Sequence, residues 1–197
     1  INLMVNDESK IGIVGGAGPF AGLDCALKIL QQTKAQKDQD YLPTIIISTP
    51  DLIEDRTSFL LGESSKNPAH AIFNNVLNLE AQGATVIGIP CNTAHAPVIK
   101  DVFEKKINQL ETKLKVLDMI SETVKFLKKE CPDVKSVGIL STIGTWRAGF
   151  YPVLLKKYGY NVYTLSEKSQ YKLHNEALYH PEHGIKIKAS PVTKKAR

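Results

Sequence analysis

The sequence predicts an α/β protein with parallel sheets, built as two similar halves. Two observations carry that prediction: apolar, β-branched segments alternate with helical ones along the chain, and a strand–turn unit occurs twice. Strands separated by helical connections imply parallel sheets with right-handed crossovers. The repeated unit is Lys10-Ile11-Gly12-Ile13-Val14-Gly15-Gly16-Ala17-Gly18, which lines up with Ser136-Val137-Gly138-Ile139-Leu140-Ser141-Thr142-Ile143-Gly144. Two such halves would set two strand-end surfaces face to face, with a cleft between them. A first domain is expected over 1–114, carrying Cys91, and a second over 115–197, with the break in the charged stretch near 113–115.

The elements follow in order. Residues 10–15 form a short apolar strand ending in glycines, and a helix is expected over about 21–34. Residues 44–48 (Thr-Ile-Ile-Ile-Ser) are continuously β-branched, as a strand covered on both faces would be. A long helix starts at Asn67 or Pro68 and runs to Gln82, with Gly83 placed to cap it. A strand over 84–90 and a helix over 94–107 come next. The second half reads as strand 115–118, helix 121–129, strand 136–140, helix 149–158 and strand 161–164.

Bulk properties narrow the function classes. The 197 residues are 43% hydrophobic and 23% charged, ordinary for a globular protein able to bury a core. No apolar run approaches the roughly 20 residues of a membrane span. The net charge of +5 is spread over predicted helices and the C-terminal tail, so a nucleic-acid partner is not expected. Three cysteines, Cys25, Cys91 and Cys131, lack paired or metal-type spacing, which fits a reducing cytoplasm.

The most informative segment is Val86-Ile87-Gly88-Ile89-Pro90-Cys91-Asn92-Thr93-Ala94-His95. An apolar strand delivers Cys91 to its end, where open α/β sheets bind ligands. Backbone N–H groups and the positive end of a following helix would favour thiolate there. The plain alternative is a buried structural cysteine.

Other strand ends carry polar residues. Residues 15–19 (Gly-Gly-Ala-Gly-Pro) contain a formal Gly-x-Gly-x-x-Ala through Gly16, Gly18 and Ala21. A dinucleotide site would want an acid about 20 residues on, at the end of the second strand. The acid at that strand end is Asp51, 33 residues beyond Gly18, so an anion-binding loop of backbone N–H groups is the better reading. After the second strand, Asp55-Arg56-Thr57 offers a guanidinium able to grip a carboxylate bidentately, with a hydroxyl beside it. Cys91 and His95 have i, i+4 spacing but no second ligand pair, so no metal site is expected. Thr142 and Thr145 present hydroxyls at the second half's first turn, and Gly184-Ile185-Lys186 places a cation in a late loop.

Together these segments resemble the aspartate/glutamate racemase family, in its aspartate racemase branch that uses no pyridoxal phosphate. The carriers are Gly15-Gly16-x-Gly18-Pro19, Asp55-Arg56-Thr57, Pro90-Cys91-Asn92-Thr93-Ala94-His95, Thr142-x-Gly144-Thr145 and Gly184-Ile185-Lys186, in the family's order over essentially the whole chain. The resemblance implies two Rossmann-like domains related by a pseudo-twofold axis, with the active site in the cleft between them. It also implies racemisation by two cysteines, one removing the Cα proton and the other reprotonating the opposite face. Cys91 would be one of them. Arg56, Thr57, Asn92, Thr93, Ala94, Thr142, Thr145 and Lys186 would line the substrate site, with no cofactor and no metal. An acidic amino acid as substrate, a cytoplasmic location and a homodimer are implied in the same way.

The family's second cysteine lies in a Gly-Cys-Thr-Glu-like strand end, a motif these residues lack. Cys91 follows Ile11 by 80 residues, and the same offset from Val137 falls near 217, so that cysteine and the end of the second domain are expected past Arg197. Two other classes stay open on sequence: a non-catalytic amino-acid- or dicarboxylate-binding protein, and a one-thiol relative of the maleate isomerase or decarboxylase type.

Overall fold

The computed structural model describes residues 9–197. The described chain forms two compact units, 9–122 and 123–197. In the first, β1 (Lys10–Gly15), β2 (Thr44–Ser48), β3 (Ala84–Gly88) and β4 (Lys115–Val116) make one parallel sheet in the order β2-β1-β3-β4. The expected divide after residue 114 precedes β4, and β4 pairs with β3 through Val86↔Lys115 and Ile87↔Val116.

Helix α1 (Pro19–Gln32) connects β1 to β2, and α2 (Arg56–Leu60) and α3 (Ala69–Ala81) lie between β2 and β3. The chain then passes through α4 (Pro97–Ile107) to β4 and α5 (Met119–Glu130). The core is the buried face of this sheet with α3 and α4: Ile13, Ile72, Val76, Leu79, Ile87, Ile99 and Phe103 are all 0–1% exposed. Each such side chain contributes about 1.5–3 kcal/mol of burial.

Local chemistry sets the boundaries. Pro19 opens α1 where its missing N–H costs nothing. The Asn67 side-chain carbonyl accepts from Ala69 N–H at 2.9 Å and starts α3. Gly83 ends α3 at φ +89, donating to the Glu80 carbonyl at 2.8 Å.

Three expectations need correction here. The strand at 44–48 was expected to be covered on both faces; β2 is an edge strand, and Ile46 is 36% exposed. The helix expected over 94–107 is two elements, a 3₁₀ turn over Asn92–His95 and then α4. Pro97 is the reason: the residue before a proline is pushed out of helical conformation, and Ala96 sits at φ −60, ψ 135. The strand expected to reach Pro90 stops at Gly88, because Pro90 has no N–H to give the ladder.

The second unit holds a two-stranded parallel sheet, β5 (Ser136–Ile139) with β6 (Asn161–Thr164). Between them run α6 (Ile143–Ala148), which was not expected, and α7 (Phe150–Lys157), which answers to the helix expected over 149–158. Gly149, at φ +65, separates the two. After β6 comes α8 (Glu167–Lys172), which continues as a π-helical segment over Leu173–Leu178. No helix among the described residues is long and apolar enough to cross a membrane.

Candidate active site

Strand order places the site. From β1 the chain moves to β2 on one side, and later to β3 on the other. The ends of β1 and β3 therefore flank the point where the winding reverses, and in open parallel sheets ligands bind in the crevice there. The turn at 15–18 leaves β1 at this point, and Cys91 follows β3.

Gly16 shows why the first turn is glycine-rich. It has φ +85, and a Cβ would lie 2.8 Å from the Thr49 nitrogen and 2.9 Å from the Pro50 nitrogen. The loops after β1 and β2 thus run in contact, backbone against backbone. Gly18, which precedes α1, supplies no side-chain cap to the helix.

Cys91 is extended (φ −142, ψ 109) and half-buried. Its N–H donates to the Ile89 carbonyl at 2.8 Å, which folds the backbone sharply at the strand's end. Asn92 is exposed, whereas Thr93, Ala94 and His95 are buried. Helix α2 packs against this 3₁₀ turn and brings the Asp55-Arg56-Thr57 segment to it. Asp55 caps α2 by accepting from Ser58 N–H at 2.8 Å. Arg56 Nη1 donates to the Glu54 carbonyl at 3.1 Å, and its Nε is buried with no hydrogen-bond partner. Part of the guanidinium is thus anchored to its own loop, and a buried donor is left without a partner. Thr57 is buried beside it.

Behind the thiol lies a network the sequence reading did not single out. His95 Nε2 lies 3.1 Å from the Ile89 carbonyl, the same oxygen that receives the Cys91 N–H. A carbonyl only accepts, so Nε2 carries the proton. The other ring nitrogen, Nδ1, stands 3.5 Å from Asp118 Oδ1. Asp118 in turn receives Lys100 Nζ at 2.6 Å and the Ser121 hydroxyl at 2.9 Å. Burial holds the His95 pKa below the ordinary histidine value, against the opposing pull of the Ile89 carbonyl and Asp118. Burial alone would raise the Asp118 carboxyl, but its bonds to Lys100 and Ser121 outweigh that and lower it. Burial also opposes the Lys100 charge, and Asp118 with Glu104 more than restores it. The available signal was Asp118 itself, an acid at the end of an expected strand.

The remaining expected residues belong to the second unit. Thr142 caps α6, its hydroxyl accepting from Thr145 N–H at 3.5 Å and lying 3.3 Å from the Thr145 hydroxyl. Lys186 is exposed, and its N–H donates to the Leu178 carbonyl at 2.9 Å. Cys25 lies within α1, its pKa raised by burial and by Asp24, and Cys131 directly follows α5. Neither stands at a strand end. The structure therefore gathers Arg56, Thr57, Cys91, Asn92, Thr93 and Ala94 at the strand ends of the first sheet, while Thr142 and Thr145, at the start of α6, and Lys186, in a late turn, belong to the other unit.

Residues 14–190 match the Asp/Glu/Hydantoin racemase family. A broad specificity amino-acid racemase of Bacillus subtilis is 30% identical over 157 residues, 77% of this chain and 63% of the relative, so the chain spans under two thirds of that protein. Among solved structures, the Picrophilus torridus aspartate racemase superposes with a TM-score of 0.68 at 32% identity, covering 85% of this chain and 68% of that one. An aspartate racemase homologue from Pyrococcus horikoshii, 24% identical, shares the fold with a TM-score of 0.63 over 85% of this chain and 69% of its own. The parallel α/β architecture and the order of the motifs agree with these matches, and the chain belongs to the Asp/Glu/Hydantoin racemase family.

Proposed function

We propose that this protein is a racemase of acidic amino acids, with aspartate preferred, and that Cys91 exchanges the substrate's Cα proton. The observation that carries the reading is the placement of Cys91 at the winding reversal of the first sheet, with the Arg56 helix packed against its turn. An amino-acid Cα–H is a very weak acid, so the site must supply fixed donors to the developing carbanion and keep water away. In this account the Cys91 thiolate takes the Cα proton, and a second thiol on the opposite face of Cα returns one. Racemisation then runs in either direction with no net change in the thiol pair. As the resemblance implies, the chemistry uses no pyridoxal phosphate.

Each contact has its own task. Asn92 and Thr93, with the Ala94 amide, hold the α-carboxylate, and Arg56 with Thr57 holds a substrate carboxylate. Thr142 and Thr145 offer hydroxyls to the ligand, and Lys186 adds a further cation. His95 is a positioning residue: through the Ile89 carbonyl it fixes the backbone that aims Cys91. We place the enzyme in the cytoplasm as a homodimer, in keeping with the family resemblance. The Picrophilus torridus relative is named an aspartate racemase and the Bacillus subtilis relative a broad specificity one, which supports aspartate first and a wider range second.

The test is to incubate the intact gene product with L- and D-aspartate and with L- and D-glutamate, and to follow enantiomeric composition by chiral chromatography. Convergence on the racemate from both aspartate enantiomers, faster than for glutamate, is the expected result. Saturable binding with no change in enantiomer would replace the racemase with a binding protein.

A further inference from the structure

Past α8 the chain leaves ordinary helical geometry for the π-helical segment Leu173–Leu178. Such widened turns are rare and concentrate at functional sites. The following chain folds back onto it: the Ile185 and Lys186 N–H groups donate to the Ala177 and Leu178 carbonyls, each at 2.9 Å. Between them is one tight turn, closed by Gly184 N–H to the His180 carbonyl at 2.8 Å. A Cβ on Gly184 would lie 2.5 Å from the His180 nitrogen and 2.7 Å from the Leu178 carbonyl oxygen, so only glycine lets the turn close. The Thr193 hydroxyl then holds the His183 carbonyl at 2.8 Å.

This folding brings three metal-ligating side chains together. One donor atom from each of Glu176, His180 and His183 lies within 4.8 Å of the other two. Their burial is graded: Glu176 is exposed, His180 half-buried and His183 buried. The two imidazoles stack with centroids 3.6 Å apart. Glu182 N–H donates to His180 Nδ1 at 3.2 Å, so that nitrogen carries no proton and its lone pair is held by an amide that an ion can displace.

We propose that Glu176, His180 and His183 form a binding site for a divalent transition ion of the zinc class. Two imidazoles and a carboxylate suit zinc, cobalt or nickel, whereas magnesium and calcium call for oxygen ligands alone. Bonds of about 2.0–2.1 Å in a tetrahedral site set donors roughly 3.4 Å apart, so no pair in the cluster need close by more than about 1.4 Å on binding. The exposed Glu176 and half-buried His180 supply that movement while His183 stays fixed in its turn. The ion replaces the Glu182 amide at His180 Nδ1, and the stacked rings separate as it enters. Three protein ligands leave a fourth position open to water or to an anionic group. The ion would also tie the π-helical segment to the turn preceding Lys186. The expectation of no metal from the sequence rests on the lone Cys91–His95 pair and does not weigh Glu176-x₃-His180-x₂-His183.

The experiment uses the full chain stripped with a chelator, titrated with Zn²⁺ in competition with a chromogenic chelator and with Co²⁺ followed by visible absorption. One equivalent per chain is expected, without the intense thiolate-to-metal absorption a cysteine ligand would give. His180→Ala and Glu176→Gln, neither of which empties a buried position, should each weaken binding by at least about tenfold. Cys91→Ser should bind as the wild type does, and circular dichroism would confirm that every variant is folded. No saturable binding, binding unchanged in the His180→Ala/Glu176→Gln double variant, or binding lost in Cys91→Ser would each overturn the proposal.

Discussion

The two turns that align in the sequence repeat are built in opposite ways. After β1, the turn at 15–18 is shaped by backbone contact alone: Gly16 sits where a Cβ would strike the Thr49 and Pro50 nitrogens, and Gly18 gives α1 no side-chain cap. After β5, the turn is held by its own side chains. Thr142 caps α6 through Thr145, and the buried Gln170 amide donates to the Ser141 carbonyl at 2.8 Å. Glycine lets the loops after β1 and β2 run backbone against backbone. Hydroxyls at the other turn satisfy the helix that follows it. A shared strand–turn–helix pattern thus specifies topology, and the residues in the turn decide whether backbone packing or side-chain bonds hold it.

This contrast can be broken by substitution, beginning where the effect should be largest. Arg56→Ala removes a charged grip on substrate, so KM for aspartate should rise about 10- to 100-fold, the equivalent of about 1.5–3 kcal/mol for a hydrogen bond to a charged group. Arg56→Lys should recover only part of this, because a lysine cannot make the paired contact. Initial rates over a wide substrate range would check both, and an unchanged KM would remove Arg56 from the site.

Gly16→Ala comes next, because it adds strain at φ +85 and a clash with backbone atoms. A loss of about 1–3 kcal/mol in denaturant unfolding is expected. Thr142→Ala should cost about 1 kcal/mol as a lost helix cap. Its KM should move much less than that of Arg56→Ala; a larger rise would mean that the Thr142 hydroxyl serves substrate first and the helix second.

The smallest effect is a pH dependence behind Cys91. His95 has a folded pKa below the ordinary 6.5, so the unfolded chain takes up its proton first. Stability should therefore fall as pH drops below about 6.5, and His95→Gln should flatten that slope. The Asp118 pKa is also lowered in the fold, so its contribution is present above 3.8 and is lost as the pH falls through its folded pKa. Unfolding free energies measured from pH 7 to pH 3 would separate the two windows.

Much of the fold was legible because it rests on strong local signals. Ile11, Ile13 and the run Ile45–Ile46–Ile47 mark strands by composition, and Gly83 marks a helix end by its position. What escaped was decided by short elements and by neighbours distant in sequence. Helix α2 is five residues long, too short for any hydrophobic period to show, and Asp55-Arg56-Thr57 reads in the sequence as a polar strand-end segment only. The helix expected over 149–158 is α7, and α6 before it escaped because Ile143–Ala148 is held by the Thr142 cap more than by an apolar stripe. At the site, Cys91 and Arg56 were readable as strand-end residues. The Asp118–Lys100–His95 network was not, since Lys100 and Asp118 lie 18 residues apart and meet only once β4 joins the sheet.

The most direct measurement follows solvent deuterium into the Cα position of L- and D-aspartate, by proton NMR, with the intact wild-type gene product and with Cys91→Ala. In the variant, racemisation should stop in both directions, and wash-in should slow by about a thousandfold or more for the enantiomer whose Cα–H faces Cys91. Wash-in at the wild-type rate for both enantiomers in Cys91→Ala would contradict the account at its centre.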